Sequence, residues 1–368
     1  MAPGRELPGW AEYVLLPVLN LLLAFLVSGL IVLLVGENPL EAAQLLVYGA
    51  FGYGEAVGYS LYYATNFIYT GLAVAVAYHA GLFNIGGEGQ AYIGGLGLTL
   101  VALAAGHLPA PVTLPLAVLA AAAFGAVWGF VPGWLQAKRG SHVVITTIML
   151  NFVAASLMTY LLVNVLIVPG SQIPESAGYP PSVWMPSLSA PLAALGVDLG
   201  QAPLNASLPL ALVCCILVWL YVWKSRPGYE LRVAGRSEAA AVYGGISPAR
   251  QIILAMTISG ALAGLMATNE LMGVQHRMTL SFTGGYGFVG IAVALMGRNH
   301  PLGIVLAAIL FGALYQGGSE LTFDMPAINR DMVVVIQGLV ILFAGALENM
   351  LRPSLRIFLA RPRLEAAV

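Results

Sequence analysis

Two short glycine-rich runs hold the groups whose types and spacing are best suited to chemistry. The first is Phe83-Asn84-Ile85-Gly86-Gly87-Glu88-Gly89-Gln90, and the second, in the other half of the chain, is Thr283-Gly284-Gly285-Tyr286-Gly287. Glycine permits the backbone to leave helical geometry, and the freed amide and carbonyl groups can then form hydrogen bonds beside a carboxylate such as Glu88. Short, glycine-broken segments at matching positions of two halves indicate the central binding site of a transporter.

Other hydrogen-bonding residues lie inside apolar segments, where an unpaired polar group is costly. They are Asn66, Thr146, Thr147, Asn151, Asn269 and Glu270. These groups donate and accept hydrogen bonds but form no continuous chain of acids, which favours a neutral, hydroxylated solute over a bare cation or a proton relay. Hydrogen bonding between helices is the alternative role for each, and for Asn66 and Asn151 both roles stay open.

Signatures of enzymatic chemistry are few. The sequence contains no Gly-x-x-x-x-Gly-Lys-Ser/Thr motif, so this chain is not expected to hydrolyse a nucleotide through a P-loop of its own. The run from Gly285 to Gly290 matches the dinucleotide fingerprint in letters, but it opens an apolar segment and follows no strand. Cys214 and Cys215 are adjacent and cannot build a disulfide framework. Since the histidines lack ligand-like spacing, we predict neither a metal nor a cofactor.

The composition assigns these residues to a membrane protein. Hydrophobic residues make up 59% and charged residues 8% of the 368 residues, and the mean hydropathy is +0.87. So few charges do not cover a soluble globular surface, and a net charge of −1 gives no indication of a nucleic-acid partner. We predict an all-α polytopic membrane protein with ten transmembrane helices, at 13–35, 58–79, 86–105, 111–134, 143–168, 207–223, 251–269, 284–297, 301–318 and 331–349.

The basic residues predict the orientation of these spans through the positive-inside bias. With a cytoplasmic N-terminus, every Lys and Arg except Arg277 and Arg330 falls on the cytoplasmic side. The connection from Pro169 to Ser207 contains no Lys or Arg, as expected of a translocated loop. Both termini are therefore predicted to be cytoplasmic, and the protein to cross the membrane several times.

Spans two to five and seven to ten start at nearly constant offsets, and the glycine runs open the second member of each set. An odd number of spans separates equivalent elements, so the halves, about 58–168 and 251–349, are predicted to form an inverted repeat. Chance similarity between glycine-rich segments is the alternative. Glycines also recur every fourth residue at Gly125, Gly129 and Gly133, and at Gly260 and Gly264. This spacing favours close helix packing inside the subunit over a dimer interface.

The longest basic connection, 224–250, contains a predicted surface helix. Ser237 can cap its start, the run Glu238-Ala239-Ala240-Ala241-Val242-Tyr243 forms it, and Gly244-Gly245 ends it. A short, capped helix held at the cytoplasmic surface is typical of a docking element for another protein. The alternative is a positively charged loop that only fixes the topology.

Four motifs follow one another in a recognisable order. They are Asn84-Ile85-Gly86-Gly87-Glu88-Gly89-Gln90, Val144-Ile145-Thr146-Thr147-Ile148-Met149-Leu150-Asn151, the loop Gly235 to Ile246, and the run Gly290 to Pro301. Together they resemble the permease subunits of bacterial ABC importers for simple sugars and nucleosides, within the larger group that includes ribose and branched-chain amino acid permeases. The resemblance covers about residues 60 to 350, and it departs at Val143, where many relatives have Glu.

The resemblance implies one transmembrane permease domain over 1–368, a multi-pass protein of the bacterial inner (cytoplasmic) membrane. It also implies a transport system of several proteins that imports a nucleoside or simple sugar. The partners implied are ATP-binding cassette subunits, a second permease subunit (identical or a paralogue), an extracytoplasmic solute-binding protein and membrane lipid. The residues expected to couple to the ATPase are Arg236, Glu238, Ala239, Ala240, Gly244 and Gly245. The residues expected along the substrate pathway, with Phe83 and Tyr92 as stacking faces, are Asn66, Phe83, Asn84, Glu88, Gln90, Tyr92 and Asn151.

A stand-alone secondary transporter is the alternative function. It would suit the inverted repeat, but it normally needs an ion site or membrane acids, and it leaves the basic docking loop unexplained. An intramembrane enzyme would suit the polar patches, but the sequence shows no nucleophile–base or metal pair.

Overall fold

The computed structural model describes residues 8, 10–11, 15–343 and 355, and the described part of the chain contains helices and no strand. Apolar, low-charge segments form helices because a helix satisfies its own backbone hydrogen bonds in lipid. The helices are α1 (Leu16–Val35), α2 (Pro39–Phe51), α3 (Gly54–His79), α4 (Gly87–Ala105), α5 (Ala110–Arg139), α6 (Val143–Asn164), α7 (Ser189–Ala194), α8 (Ser207–Trp219), α9 (Arg226–Arg236), α10 (Glu238–Tyr243), α11 (Pro248–Ala267), α12 (Tyr286–Met296), α13 (Pro301–Asp324) and α14 (Arg330–Ile341). A 3₁₀ turn at Pro181–Val183 and π-helical segments at Leu220–Lys224 and Thr268–Gln275 complete them.

Each of the ten predicted spans overlaps one of these helices, and the helical class is confirmed. Among the residues that the structure describes, six helical stretches are both long and apolar enough to cross a membrane: Val18–Val35, Ala110–Arg139, Val143–Asn164, Ser207–Lys224, Pro248–Gln275 and Pro301–Asp324. The count of ten, the inverted repeat and the cytoplasmic termini stay predictions. The beginning of the first span, the end of the last one, Arg5 and the arginines after 351 lie outside the described residues. Helices α2 and α7 were not anticipated by the sequence.

The chain divides into two compact units, residues 1–49 with 314–368, and residues 50–313. In the first unit, α1 packs against α14, and an apolar cluster includes Val32, Leu321 and Ile336. A Cβ atom on Gly317 would lie 2.2 Å from the carbonyl oxygen of Leu46, so only glycine permits this approach. The outer face of α1 exposes leucines such as Leu26, a surface suited to hydrocarbon.

In the second unit, α3 is buried along most of its length and packs against α8, α11 and α12. The helix pair α5 and α11 is joined by the regularly spaced glycines. A Cβ atom added to Gly125 would lie 2.3 Å from the Gly260 carbonyl oxygen, and one added to Gly129 would lie 2.3 Å from the Met256 carbonyl oxygen. The predicted packing of these glycines inside the subunit is therefore confirmed.

The connection between α6 and α8 binds the segment that follows the second π-helix. The amide of Ser176 donates to the Met278 carbonyl at 2.9 Å, and Arg277 pairs with Glu175 at 2.6 Å. The ring of His276 stacks on Trp184, with centroids 4.1 Å apart, and burial lowers the pKa of this imidazole, which favours its neutral form. These contacts fix the chain just before the second glycine run.

Candidate functional site

The two glycine runs meet at the carboxylate of Glu88, in an arrangement that we call the Glu88 clamp (Glu88, Thr283, Gly285 and Gly287). The Thr283 hydroxyl donates to Glu88 Oε1 at 2.5 Å, and the Gly285 amide donates to the same oxygen at 3.0 Å. The Gly287 amide donates to Oε2 at 2.9 Å. All three partners are donors, so an ionised carboxylate, which is acceptor-only, satisfies them fully.

Glycine is required for this contact because the backbones themselves touch. A Cβ atom on Gly287 would lie 2.3 Å from the Glu88 nitrogen. Helices α4 and α12 both begin here, so two partially positive helix ends lie close together. The Glu88 carboxylate, carried by α4, compensates the exposed amides at the start of α12.

Asn151 holds the first glycine run from the side of α6. Its Oδ1 accepts from the Gly89 amide, and its Nδ2 donates to the Ile85 carbonyl, both at 2.9 Å. The side chain thus satisfies one donor and one acceptor that the broken backbone leaves free.

Asn84 and Gln90 lie inside the same run and are buried. Asn84 Nδ2 donates to Gln90 Oε1 at 2.9 Å and to the Ser259 hydroxyl oxygen at 2.8 Å. Ser259 in turn donates to the Ala73 carbonyl at 2.6 Å. The run is therefore tied to α3 and α11 through side chains as well as backbone.

A second buried polar cluster, the Glu270 network, lies where α11 passes into its π-helical extension. Glu270 Oε1 accepts from the Tyr62 hydroxyl at 2.5 Å and from Asn66 Nδ2 at 2.6 Å. Asn269 donates to Asn66 Oδ1 at 2.9 Å and accepts from Asn205 Nδ2 at 3.0 Å. The wider π-turn suits such a cluster, since π-helical turns are frequent at functional sites.

Three aromatic rings connect the Glu270 network to the Glu88 clamp: Tyr63, Phe67 and Tyr286. Tyr286, the first residue of α12, meets Tyr63 at a centroid distance of 6.3 Å and Phe67 at 5.6 Å, both edge to face. Tyr63 also contacts Tyr62 of the network, at 5.2 Å. Hydrogen-bonding groups and aromatic rings thus lie together along α3 and the start of α12.

The predicted pathway residues fall into four different surroundings. Glu88, Asn84, Gln90 and Asn151 surround the first glycine run, and Asn66 belongs to the Glu270 network. Tyr92 packs edge to face on Phe282, with centroids 5.4 Å apart, inside an apolar cluster. Phe83 lines a separate cavity beside α9. Their roles in transport stay predictions.

The pathway set drawn from the sequence leaves out four residues that the structure brings to this region: Tyr62, Thr283, Glu270 and Tyr286. Thr283 and Tyr286 belong to the second glycine run, and Glu270 is an acid at the end of a predicted span, so these three carried a signal. Tyr62 had none, because its role depends on the partner that α11 supplies.

The predicted docking helix is present as α10, and its caps are confirmed. The Ser237 hydroxyl oxygen accepts from the Ala240 amide at 3.2 Å, and Gly245 has a left-handed φ of 73° just after the helix. Three of the six predicted coupling residues, Glu238, Ala239 and Ala240, lie in this helix. Arg236 ends α9 just before it, and Gly244 and Gly245 follow it. All six are exposed, and Tyr243 at the end of α10 is 97% exposed. A helix that presents a nearly free tyrosine ring is well placed to bind a partner, and its coupling role stays a prediction.

Comparison with known proteins decides the family. Residues 56–345 match the family described as "Branched-chain amino acid transport system / permease component". The chain belongs to this family. This permease is 36% identical to the guanosine ABC transporter permease protein NupP of Bacillus subtilis, over 91% of its own chain and 94% of the relative.

Two further relatives are named for other solutes. The glucose ABC transporter permease protein TsgB13 of Haloferax volcanii is 36% identical over 93% of this permease and 89% of the relative. The nucleoside ABC transporter permease protein NupB of Lactococcus lactis is 34% identical over 90% of both chains. The chain is thus an importer permease, a transport component rather than an enzyme, and a multi-pass protein of the cytoplasmic membrane.

Proposed function

We propose that this permease imports a small, neutral, hydroxylated solute, a nucleoside in the first place and a simple sugar in the second. The observation that carries the proposal is the junction of the two glycine runs, where backbone amides, amide side chains and aromatic rings lie together. Guanosine, nucleosides and glucose, named for three relatives, share several hydroxyl groups. Nucleosides add a planar base, which suits the edge-to-face tyrosines Tyr63 and Tyr286.

In this proposal the Glu88 clamp is a structural latch at the pathway. Its three hydrogen bonds hold the start of α12 against the start of α4. A movement that separates these helix ends breaks the latch and frees amides and a carboxylate for the solute. Binding is expected to be weak, since a permeating solute must also leave.

The topology we propose keeps ten spans, an inverted repeat and cytoplasmic termini. It places the basic connection with α9 and α10 on the cytoplasmic side, in agreement with the positive-inside bias. It also makes α4 and α12 equivalent members of the two halves, and these are the helices whose first residues meet at Glu88.

The permease is proposed to work with ATP-binding cassette subunits at α10, with a second permease subunit and with an extracytoplasmic solute-binding protein. Since the sequence has no P-loop, ATP is hydrolysed by the partner. The alternating contact of α10 with the ATPase would then move α9 and, through it, the end of α3.

Reconstitution in liposomes tests the proposal. Liposomes holding this chain alone, and liposomes holding the complete system from the same genome, are supplied with labelled guanosine or glucose, with and without internal ATP. We expect ATP-dependent uptake by the complete system only, and competition by unlabelled nucleoside. Concentrative uptake by the chain alone under an ion gradient would overturn the proposal in favour of a secondary transporter.

A further inference from the structure

A cavity of about 540 Å³ opens beside α9 and is separate from the glycine-run junction. Its walls include Phe83, Trp223, Arg232 and Arg236, together with the end of α3 at His79. The floor is a close backbone contact, because a Cβ atom on Gly235 would lie 2.3 Å from the His79 carbonyl oxygen. The cavity therefore has a fixed shape that is set by α3 and α9.

The cavity carries positive charge that the described part of the chain leaves unneutralised. Its two arginines are four residues apart on α9, so they lie on one helix face, where like charges repel. None of the lining residues is acidic, and neither arginine forms an ion pair with a described residue. The nearby carboxylate of Glu230 accepts instead from Arg226 at 3.1 Å and from Gln251 at 3.1 Å.

One further observation indicates that a ligand belongs here. The Nε atom of Arg232 is buried and has no hydrogen-bond partner among the described residues, although a buried donor normally has one. His79 and His300 flank the Trp223 ring, each with a centroid distance of 4.9 Å. His79 already uses its Nε2 with the Asn299 carbonyl, at 3.0 Å. The open donors of the cavity are therefore those of the arginines.

Neighbouring side chains place the cavity at a membrane–water boundary. Lys224, next in the chain to the cavity-lining Trp223, lies over the ring of Trp219 at 5.2 Å. Tryptophans paired with basic residues at helix ends are typical of the interfacial belt, at the depth of lipid headgroups. Basic pockets between helices at the cytoplasmic boundary bind anionic headgroups in membrane proteins.

We infer that this cavity is a binding site for a phosphate group, supplied by the headgroup of an anionic phospholipid and held by Arg232 and Arg236. The inference rests on the orientation proposed above, which puts α9 in the cytoplasmic leaflet. Because α9 leads directly into α10 and its floor contact reaches the end of α3, the headgroup would fasten the docking helix to the chain segment that carries the first glycine run. The permease would then require anionic lipid to keep these elements in register.

The test uses the full chain purified in a lipid-free nonionic detergent, with no ATPase and no solute. Its thermal midpoint is followed while phosphatidylglycerol, phosphatidylcholine or inorganic phosphate is added. Arg232→Gln removes the guanidinium whose Nε is buried, and Arg232→Lys retains the charge but not the fork geometry. Arg226→Gln is the matched control, since it removes an equal charge from the same helix with a side chain that is 90% exposed.

We expect phosphatidylglycerol, but not phosphatidylcholine, to raise the midpoint of the unaltered chain and of the Arg226→Gln variant. Arg232→Gln should weaken the apparent affinity for phosphatidylglycerol about tenfold, and Arg232→Lys less, since a charge-assisted hydrogen bond pair is lost or reduced. Equal lipid affinity in all variants would overturn the inference, as would an equal loss in Arg226→Gln. Stabilisation by inorganic phosphate at the same concentration would overturn the lipid source.

An unchanged lipid response, together with lost binding of the ATPase subunit to Arg232→Gln in a separate binding measurement, would overturn the inference and assign the arginines to an acidic partner surface. Because the assay measures lipid binding without transport, its failure leaves the reconstitution experiment unaffected. Failure of the reconstitution experiment likewise leaves the lipid-binding result unaffected.

Discussion

Replacing Glu88 with Gln should separate the two glycine runs without changing the size of the side chain. In the native clamp, one carboxylate accepts from a hydroxyl and two backbone amides, at 2.5, 3.0 and 2.9 Å. A carboxamide has one oxygen, so in either orientation its NH₂ group faces at least one of these donors. The variant therefore leaves a donor without an acceptor at the start of α12.

The cost follows from the hydrogen bonds. An unsatisfied buried donor costs about 1–3 kcal/mol, and each hydrogen bond that changes from a charged to a neutral acceptor loses about 1 kcal/mol. Since Glu88 is only half-buried, water takes up part of this loss, and we expect about 2–3 kcal/mol in the free energy of unfolding. That corresponds to a midpoint lowered by about 5 °C.

The assay is thermal unfolding of the purified chain, with solute uptake by the reconstituted system as a second readout. Thr283→Val removes one of the three donors, and a double-mutant cycle with Glu88→Gln should give a coupling of about 1 kcal/mol. Glu41→Gln, an exposed carboxylate, serves as the control and should have no effect. If the midpoint and uptake rate of Glu88→Gln equalled those of the unaltered permease, the Glu88 clamp would not be what holds the two glycine runs together.

Substitutions in three other places test the hydrogen bonds of the first glycine run, the packing of α5 on α11 and the docking helix. Asn151→Leu should slow uptake and lower the midpoint by several degrees, because it leaves a backbone amide and a carbonyl unpaired; assembly of the complex should persist, and wild-type uptake would contradict the assignment. Gly129→Ala should destabilise the chain through a 2.3 Å contact with backbone, whereas Gly338→Ala, with no atom within 4 Å, should be neutral or slightly stabilising; similar midpoints would count against the helix packing. Glu238→Arg and Gly244→Trp should each leave the fold intact but abolish solute-stimulated ATP hydrolysis by the complete system. An unchanged rate of ATP hydrolysis would show that α10 is not the coupling element.

The sequence by itself determined the class of this protein and the places where its helices lie. Apolar blocks of bilayer length with few charges must form helices in a membrane, since lipid offers the backbone no other partner. The docking helix and its Ser237 and Gly245 caps could also be predicted, because caps depend on residues within one turn. The glycine repeat on α5 and α11 was recognisable for the same local reason, since every fourth residue lies on one helix face.

Only the tertiary structure decided which polar residues meet. Thr283 and Glu88 are 195 positions apart, and Asn66 and Glu270 are 204 apart, so no local pattern connects them. Asn66 had two open roles, and the packing of α3 against the π-helical end of α11 gave it a buried carboxylate as partner. Phe83, next to the glycine run in sequence, lines the basic cavity of α9 instead. Helix formation is a local property of the chain, whereas hydrogen-bond partners inside a membrane protein are fixed by how closely its helices can pack.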